Sequence, residues 1–304
     1  MMRKLLLIVA FLSALALWTG CGNGKNENSI LKPAEGSTVT SAQILDALCA
    51  GQPIHIKGCT IQGFLDFTKI GGGSSYVAVA PSYVDADIVF ANCVFEDSVS
   101  SFTGQGKEQR VYTVFNKNVV FQECEFKHGV NFTQADFRGR FDFDVSKVQG
   151  DAAFDGCRFR DGSSFAMANF NGEVTFVSTT FGGRTNFMKS FFRKPVVFQR
   201  CKTEDVVMFA DSHFYGYTEF SHLVCYDDLD FSNSQFADRL VMARSVYLGN
   251  IKMANCVMKG NVECIGNTFA EPLVSSGAQL PDGGLDVSGN QMLQKSDVEC
   301  FKIK

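Results

Sequence analysis

The chain has 304 residues, 45% hydrophobic and 20% charged, a composition that fits a globular body and excludes an intrinsically disordered chain. Its formal charge of −4 is close to balance, which argues against a strongly acidic mimic of nucleic acid and gives no reason to expect a nucleic-acid partner. Eleven cysteines and four histidines leave redox and metal chemistry to be judged from spacing.

The first thirty residues read as an address. Arg3 and Lys4 precede an apolar run, Leu5 to Leu17, that is too short and wrongly flanked for an ordinary membrane span. The run ends in Trp18-Thr19-Gly20-Cys21. This resembles a bacterial lipoprotein signal. The resemblance implies a signal peptide over residues 1–20, lipidation of Cys21, and a membrane-anchored protein of the bacterial cell envelope. Trp18 departs from the pattern, which prefers Leu there. Residues 21–36 begin Gly- and Asn-rich and are expected to form a flexible tether.

A solenoid is expected over 37–304, opening with an N-terminal cap at 37–53. Thr40 or Ser41 can cap a short helix through about Ala50, with Ile44, Leu45 and Leu48 on one face and Gly51 stopping it. Repeat-like segments follow at Ile54–Ile61 and at Leu65–Phe67, and again at Ile88–Phe95. Irregular stretches at 71–87 and 99–118 interrupt the second half of two successive coils and are read as insertions leaving one side of the rod. They carry Tyr76, Tyr83, Arg110 and Tyr112, residue types favoured at binding hot spots, which makes these four the candidate contacts for an envelope protein.

From Val119 to Pro272 the chain repeats every eleven residues without a gap. Unit position three is Phe at 121, 132, 143, 154, 165, 176, 187, 198, 209, 220 and 231, and position eight is most often Phe as well. A helix would place positions three and eight about 140° apart, at 100° per residue, so no single apolar stripe forms. Position ten is Gly or Asp in most units, which suits a recurring corner and would cripple a helix. Local alternation, as in Val130-x-Phe132, has the period of a strand.

Cys124-Glu-Phe126-Lys-His, Ala135-Asp-Phe137-Arg-Gly and Ala168-Asn-Phe170-Asn-Gly resemble the pentapeptide-repeat proteins, whose unit runs small, polar, Leu or Phe, polar, polar. Alternate faces depart from that unit by a Val-like first residue and one extra residue at the corner. The resemblance implies an all-β fold: a right-handed quadrilateral parallel β-helix of about 22 residues per coil, here with a short N-terminal capping helix. Seven uninterrupted coils at about 4.8 Å each would stand roughly 34 Å tall. Near the C-terminus, 273–284 is read as a third insertion, after which Leu285–Met292 copies Val262–Phe269 and the remainder covers the end.

Stacking predicts inward columns. Phe121, Phe143, Phe165, Phe187, Phe209, Phe231 and Met253 form one. Cys124, Ser146, Ala168, Ser190, Ser212, Ser234 and Cys256 form a second, and Ala135, Cys157, Thr179, Cys201, Leu223, Ser245 and Asn267 a third. No two cysteines fall on adjacent coils of these columns, so cysteine is expected as a small buried hydrophobe and not in disulfides. No two histidines fall one coil apart in a column, and each is expected at the surface or a corner. Inward serines lack a base. Asp205, Asp227 and Asp228, with Glu204 and Asp230 nearby, form a corner cluster that would suit Ca²⁺ only weakly. No cofactor is expected and no catalytic residue is assigned. The anticipated role is a non-enzymatic scaffold. A glycan-binding or polysaccharide-processing β-helix is the alternative, to be recognised by acids and aromatics lining an outer groove.

Overall fold

The computed structural model describes residues 29–71, 79–104, 110–281 and 284–293. Its backbone is a parallel β-solenoid whose four sides are sheets of 9, 10, 10 and 11 strands. In the first full coil, side one is Ile54–Lys57, side two Thr60–Gln62, side three Leu65–Asp66 and side four Val79–Val84. Strand partners in the regular region lie 22 residues apart, as in Val130 with Ala152 and Ala152 with Val174, so two eleven-residue units close one turn.

Two kinds of corner alternate. Each unit places its position-five residue at positive φ, from Glu123 (53°) through Val145 (60°) and Met167 (57°) to Asn255 (56°). This left-handed turn swings the chain from one side to the next. The recurring glycines at position ten have a different cause. None of the seven is left-handed; a Cβ on Gly150 would sit 2.6 Å from the Gly129 nitrogen, and one on Gly216 2.6 Å from the Lys194 carbonyl carbon. Glycine is needed there because successive coils touch backbone to backbone, not because the corner needs glycine's conformational range.

The predicted columns are present. Phe165, Phe187, Phe209 and Phe231 stack with centroid spacings of 4.7, 4.6 and 5.0 Å, and Phe176, Phe198 and Phe220 with 4.6 and 4.9 Å. All are buried, and burial of each ring is worth about 1.5–3 kcal/mol. The small columns are hydrogen-bonded spines. Ser146, Ser190, Ser212 and Ser234 donate their hydroxyls to the carbonyls of Phe121, Phe165, Phe187 and Phe209 at 2.7–2.9 Å. The Cys124, Ser190 and Ser212 amides in turn donate to the hydroxyl one coil further on. A small donor at position six therefore satisfies backbone that the left-handed turn leaves unpaired.

Three expected boundaries move. The N-terminal tether is shorter than 21–36 within the described residues: Leu31 bridges Ile54, and the Gly36 amide donates to the Gly58 carbonyl at 2.8 Å, so the rod starts about there. Thr38–Thr40 pairs with Thr60–Gln62 and leads directly into helix α1 (Ser41–Cys49). Thr40 caps α1 in a capping box with Gln43, and Ile44, Ala47 and Leu48 close the core's first end.

The irregular stretches are narrower than 71–87 and 99–118. Val79–Val84 and Arg110–Phe115 are in-register strands of side four, and Val99–Ser100 belongs to side three. Ile54 pairs Ile88 and Ile88 pairs Val119, so the first two coils advance 88 − 54 = 34 and 119 − 88 = 31 residues where 22 is regular. The surplus leaves between sides three and four on both coils, and part of it, Phe102–Thr103, pairs antiparallel with Val111 and Tyr112. Nor is 273–284 an insertion. Val274 bridges Lys252 and Gln279 bridges Val257, so it is one more half coil with a degenerate sequence. Val262 pairs Leu285, an advance of 23 residues, one more than the repeat.

Candidate functional site

The signal segment, Cys21 and Tyr76 lie outside the described residues. The other three candidate contacts come together on side four. In the paired strands, Val114 lies opposite Tyr83, Tyr112 opposite Pro81, and Arg110 opposite Val79. Because side chains alternate, Arg110, Tyr112 and Tyr83 share one face of the sheet, while Val84 and Phe115 turn into the core. Tyr83 and Arg110 are exposed and Tyr112 is half-buried. Beneath them the extra segments are tied to the rod: the Ser82 hydroxyl donates to the Phe67 carbonyl at 2.9 Å and to that of Ile70, and Thr113 donates to the Ser101 carbonyl at 3.0 Å. These bonds make the aromatic–arginine patch part of a fixed surface.

A second feature was not assigned from sequence. At the corner between sides four and one, a groove of about 590 Å³ is lined by Arg140, Arg160 and Arg184 around Ser164, Asn186 and Met208. The small residues Gly162, Ser163, Ser164 and Gly183 also line it, Ser164 lying between Asp142 and Asn186 of the coils on either side. Arg160 is clamped on the buried Asp136 by two bonds, 2.7 and 2.8 Å, and Arg140 pairs Asp142 at 3.2 Å. Asp161 and Asp205 also line it, so its charges nearly offset. In the sequence this corner is marked only by the arginines Arg138, Arg140, Arg158 and Arg160, which give no sign of a groove beside them.

The acidic corner does not form a cation cage. Asp228 pairs Lys252 at 2.7 Å and accepts from the Asn250 amide and side chain at 2.8 and 2.9 Å. Burial pushes its carboxyl up, but the Lys252 and Asn250 hydrogen bonds outweigh that and leave it below its ordinary value. Asp227 and Asp205 each accept from the next residue's amide, at 2.7 and 2.6 Å. Among the described residues, no three His, Cys, Asp or Glu side chains converge as metal ligands. The weak candidate of Asp205, Asp227 and Asp228 is thus a set of turn-capping and ion-paired carboxylates.

His213 is likewise not a simple surface residue. It lies in a side-two strand, edge-on to Phe191 at 5.0 Å, and burial with the nearby Arg193 lowers its pKa.

Comparison with known proteins agrees with the coil geometry. Residues 154–202 match the family described as pentapeptide repeats (9 copies). No curated protein matches the chain. Among solved structures, a match to QnrB1, a plasmid-mediated fluoroquinolone resistance protein, has 13% identity and covers 88% of this chain and 92% of that one. Its TM-score is 0.16, so it bears on neither the fold nor the activity of this chain.

Proposed function

The rod carries pentapeptide repeats, and from that premise we propose that it is a non-enzymatic scaffold, anchored through a lipid on Cys21 in a bacterial envelope, that holds a protein partner on side four. The observation carrying this reading is the Tyr83, Arg110 and Tyr112 patch, where aromatic and guanidinium groups share one face of a hydrogen-bonded strand pair. Such groups give large contact area and are favoured at binding hot spots. Two features support a non-catalytic role. The column serines donate to main-chain carbonyls, and the corner acids are engaged by lysine, asparagine or backbone.

Two experiments test the two halves of the proposal. Cys21→Ser should shift the protein from the detergent phase to the aqueous phase or leave it unprocessed; equal partitioning of mutant and wild type refutes the anchor. Capture from envelope extract should be lost in the triple variant Tyr83→Ala, Arg110→Ala, Tyr112→Ala while melting stays near wild type. Capture that survives in a folded triple variant refutes the patch. Deleting either irregular stretch whole would be a poor test, because it would remove a side-four strand.

A further inference from the structure

Register reveals a cysteine column that sequence arithmetic hides. Val94 pairs Thr60 on one side and Glu125 on the other, so the preceding residues Cys59, Cys93 and Cys124 occupy one inward position on three consecutive coils. The expectation that no cysteines stack on adjacent coils is therefore corrected. A constant 22-residue spacing misses this column because the first two coils are longer. Main-chain bonds hold the three in place: the Val94 amide donates to Cys59 at 3.0 Å and the Glu125 amide to Cys93 at 2.9 Å. All three side chains are buried, and each thiol donates to the equivalent carbonyl one coil earlier, Cys59 to Ala34, Cys93 to Ile56 and Cys124 to Phe90, at 3.4–3.5 Å.

We propose that Cys93 and Cys124 are a disulfide-forming pair that staples the second coil to the third when a thiol–disulfide oxidant is supplied. Adjacent strands of a parallel ladder place equivalent Cα atoms about 4.8 Å apart, inside the range of roughly 4.4–6.8 Å that a disulfide spans. The two thiols point the same way, each at a carbonyl one coil earlier, so side-chain rotation at both cysteines is what brings the sulfurs together. Cys59 donates to the equivalent carbonyl, that of Ala34 at 3.4 Å, but also meets the Ser37 hydroxyl at 3.5 Å.

The exchange balances with a small disulfide as oxidant. The Cys93 thiolate attacks one sulfur of the oxidant, whose S–S bond breaks and releases one thiolate. Cys124 then attacks the Cys93 sulfur, the mixed disulfide breaks, and the Cys124 proton passes to the second departing thiolate. The protein loses two electrons and two thiol hydrogens, and the oxidant is reduced to two thiols. Attack begins at Cys93 because the thiolate is the nucleophile. Interaction with the Cys124 side chain lowers the Cys93 thiol to about 7 despite burial, while burial raises Cys124 well above the ordinary range. Burial also pushes Cys157, Cys201, Cys225, Cys256 and Cys264 upward. The staple would fix the end of the rod from which the extra segments of the first two coils emerge, and a reductant would release it.

The test uses the full chain and bis(2-hydroxyethyl) disulfide, in two arms: folded protein incubated with the reagent, and protein refolded from urea in it. Remaining thiols are alkylated under denaturing conditions and the protein is digested without reductant for mass spectrometry. The expected product in either arm is a peptide pair joined through Cys93 and Cys124, with a urea midpoint that rises on oxidation and falls back with dithiothreitol. In Cys124→Ser the pair is absent and Cys93 carries the hydroxyethyl mixed disulfide. That variant keeps the column's chemistry, since serine fills the same position at Ser146 and Ser190. Recovery of both Cys93 and Cys124 as alkylated thiols in both arms, or a link from Cys93 to Cys59, overturns the proposal.

Discussion

Gly172→Ala separates the two corner types. Gly172 is at position ten, without positive φ, and a Cβ there would be driven into the backbone of Gly150 and Asp151 in the coil before it. The atoms it meets are main chain, so they cannot turn aside as a side chain could. Relief requires the two coils to part locally. Beside the corner they are joined by the Ala152 amide to the Glu173 carbonyl at 2.8 Å and by the Glu173 amide to Asp151 at 2.9 Å. Losing one such bond costs about 0.5–1.5 kcal/mol net, and overpacking costs about 1–3 kcal/mol. The expected destabilisation is therefore about 2–4 kcal/mol. Gly156 is the matched control. It sits at position five with φ +67°, and its nearest neighbour is the flexible Gln134 side chain at 3.4 Å. Gly156→Asn should cost no more than about 1 kcal/mol, since asparagine tolerates left-handed backbone and already occupies the equivalent turn at Asn233 and Asn255. Urea titration followed by circular dichroism measures both, and hydrogen exchange locates the loss in the coils around 150 and 172. If Gly172→Ala stays within about 0.5 kcal/mol of wild type, ordinary surface-mutation scatter, close backbone approach is not why glycine recurs there.

Three further outcomes are expected. Phe165→Ala, which removes a fully buried ring stacked at 4.7 Å on Phe187, should cost about 3–5 kcal/mol, whereas the exposed Arg158→Ala should stay within about 0.5 kcal/mol; urea midpoints decide. Burial and the neighbouring Asp144 raise the Asp142 carboxyl, so the fold binds its proton more readily than the unfolded chain does. Its contribution is therefore present below the unfolded value and lost as pH rises through the folded one. Asp142→Asn should accordingly gain on wild type at pH 7 relative to pH 3, and the same stability difference at both pH values contradicts this. Lys252→Met should raise the Asp228 carboxyl, which NMR titration of that side chain can follow, since its Lys252 hydrogen bond helps hold it low.

The eleven-residue period was enough to read the phenylalanine stacks, because a solenoid places like residues over like and each inward position repeats at a constant interval, while the four-sided coil came from the resemblance to pentapeptide repeats. Thr40 and Gly51 marked the ends of α1 through local capping chemistry that depends on nothing distant. Tertiary structure decided the features that depend on what lies one coil away. Position-ten glycine marks a recurring corner in the sequence, but only the neighbouring backbone shows that contact excludes a Cβ. Serine at position six looked merely small until the carbonyl it satisfies, 25 residues earlier, was placed beneath it. Extra segments in the first two coils broke the numerical spacing without breaking strand register. Tyr83, Tyr112 and the stacked Cys59, Cys93 and Cys124 therefore found their neighbours through inter-coil hydrogen bonds, which a count along the chain does not follow.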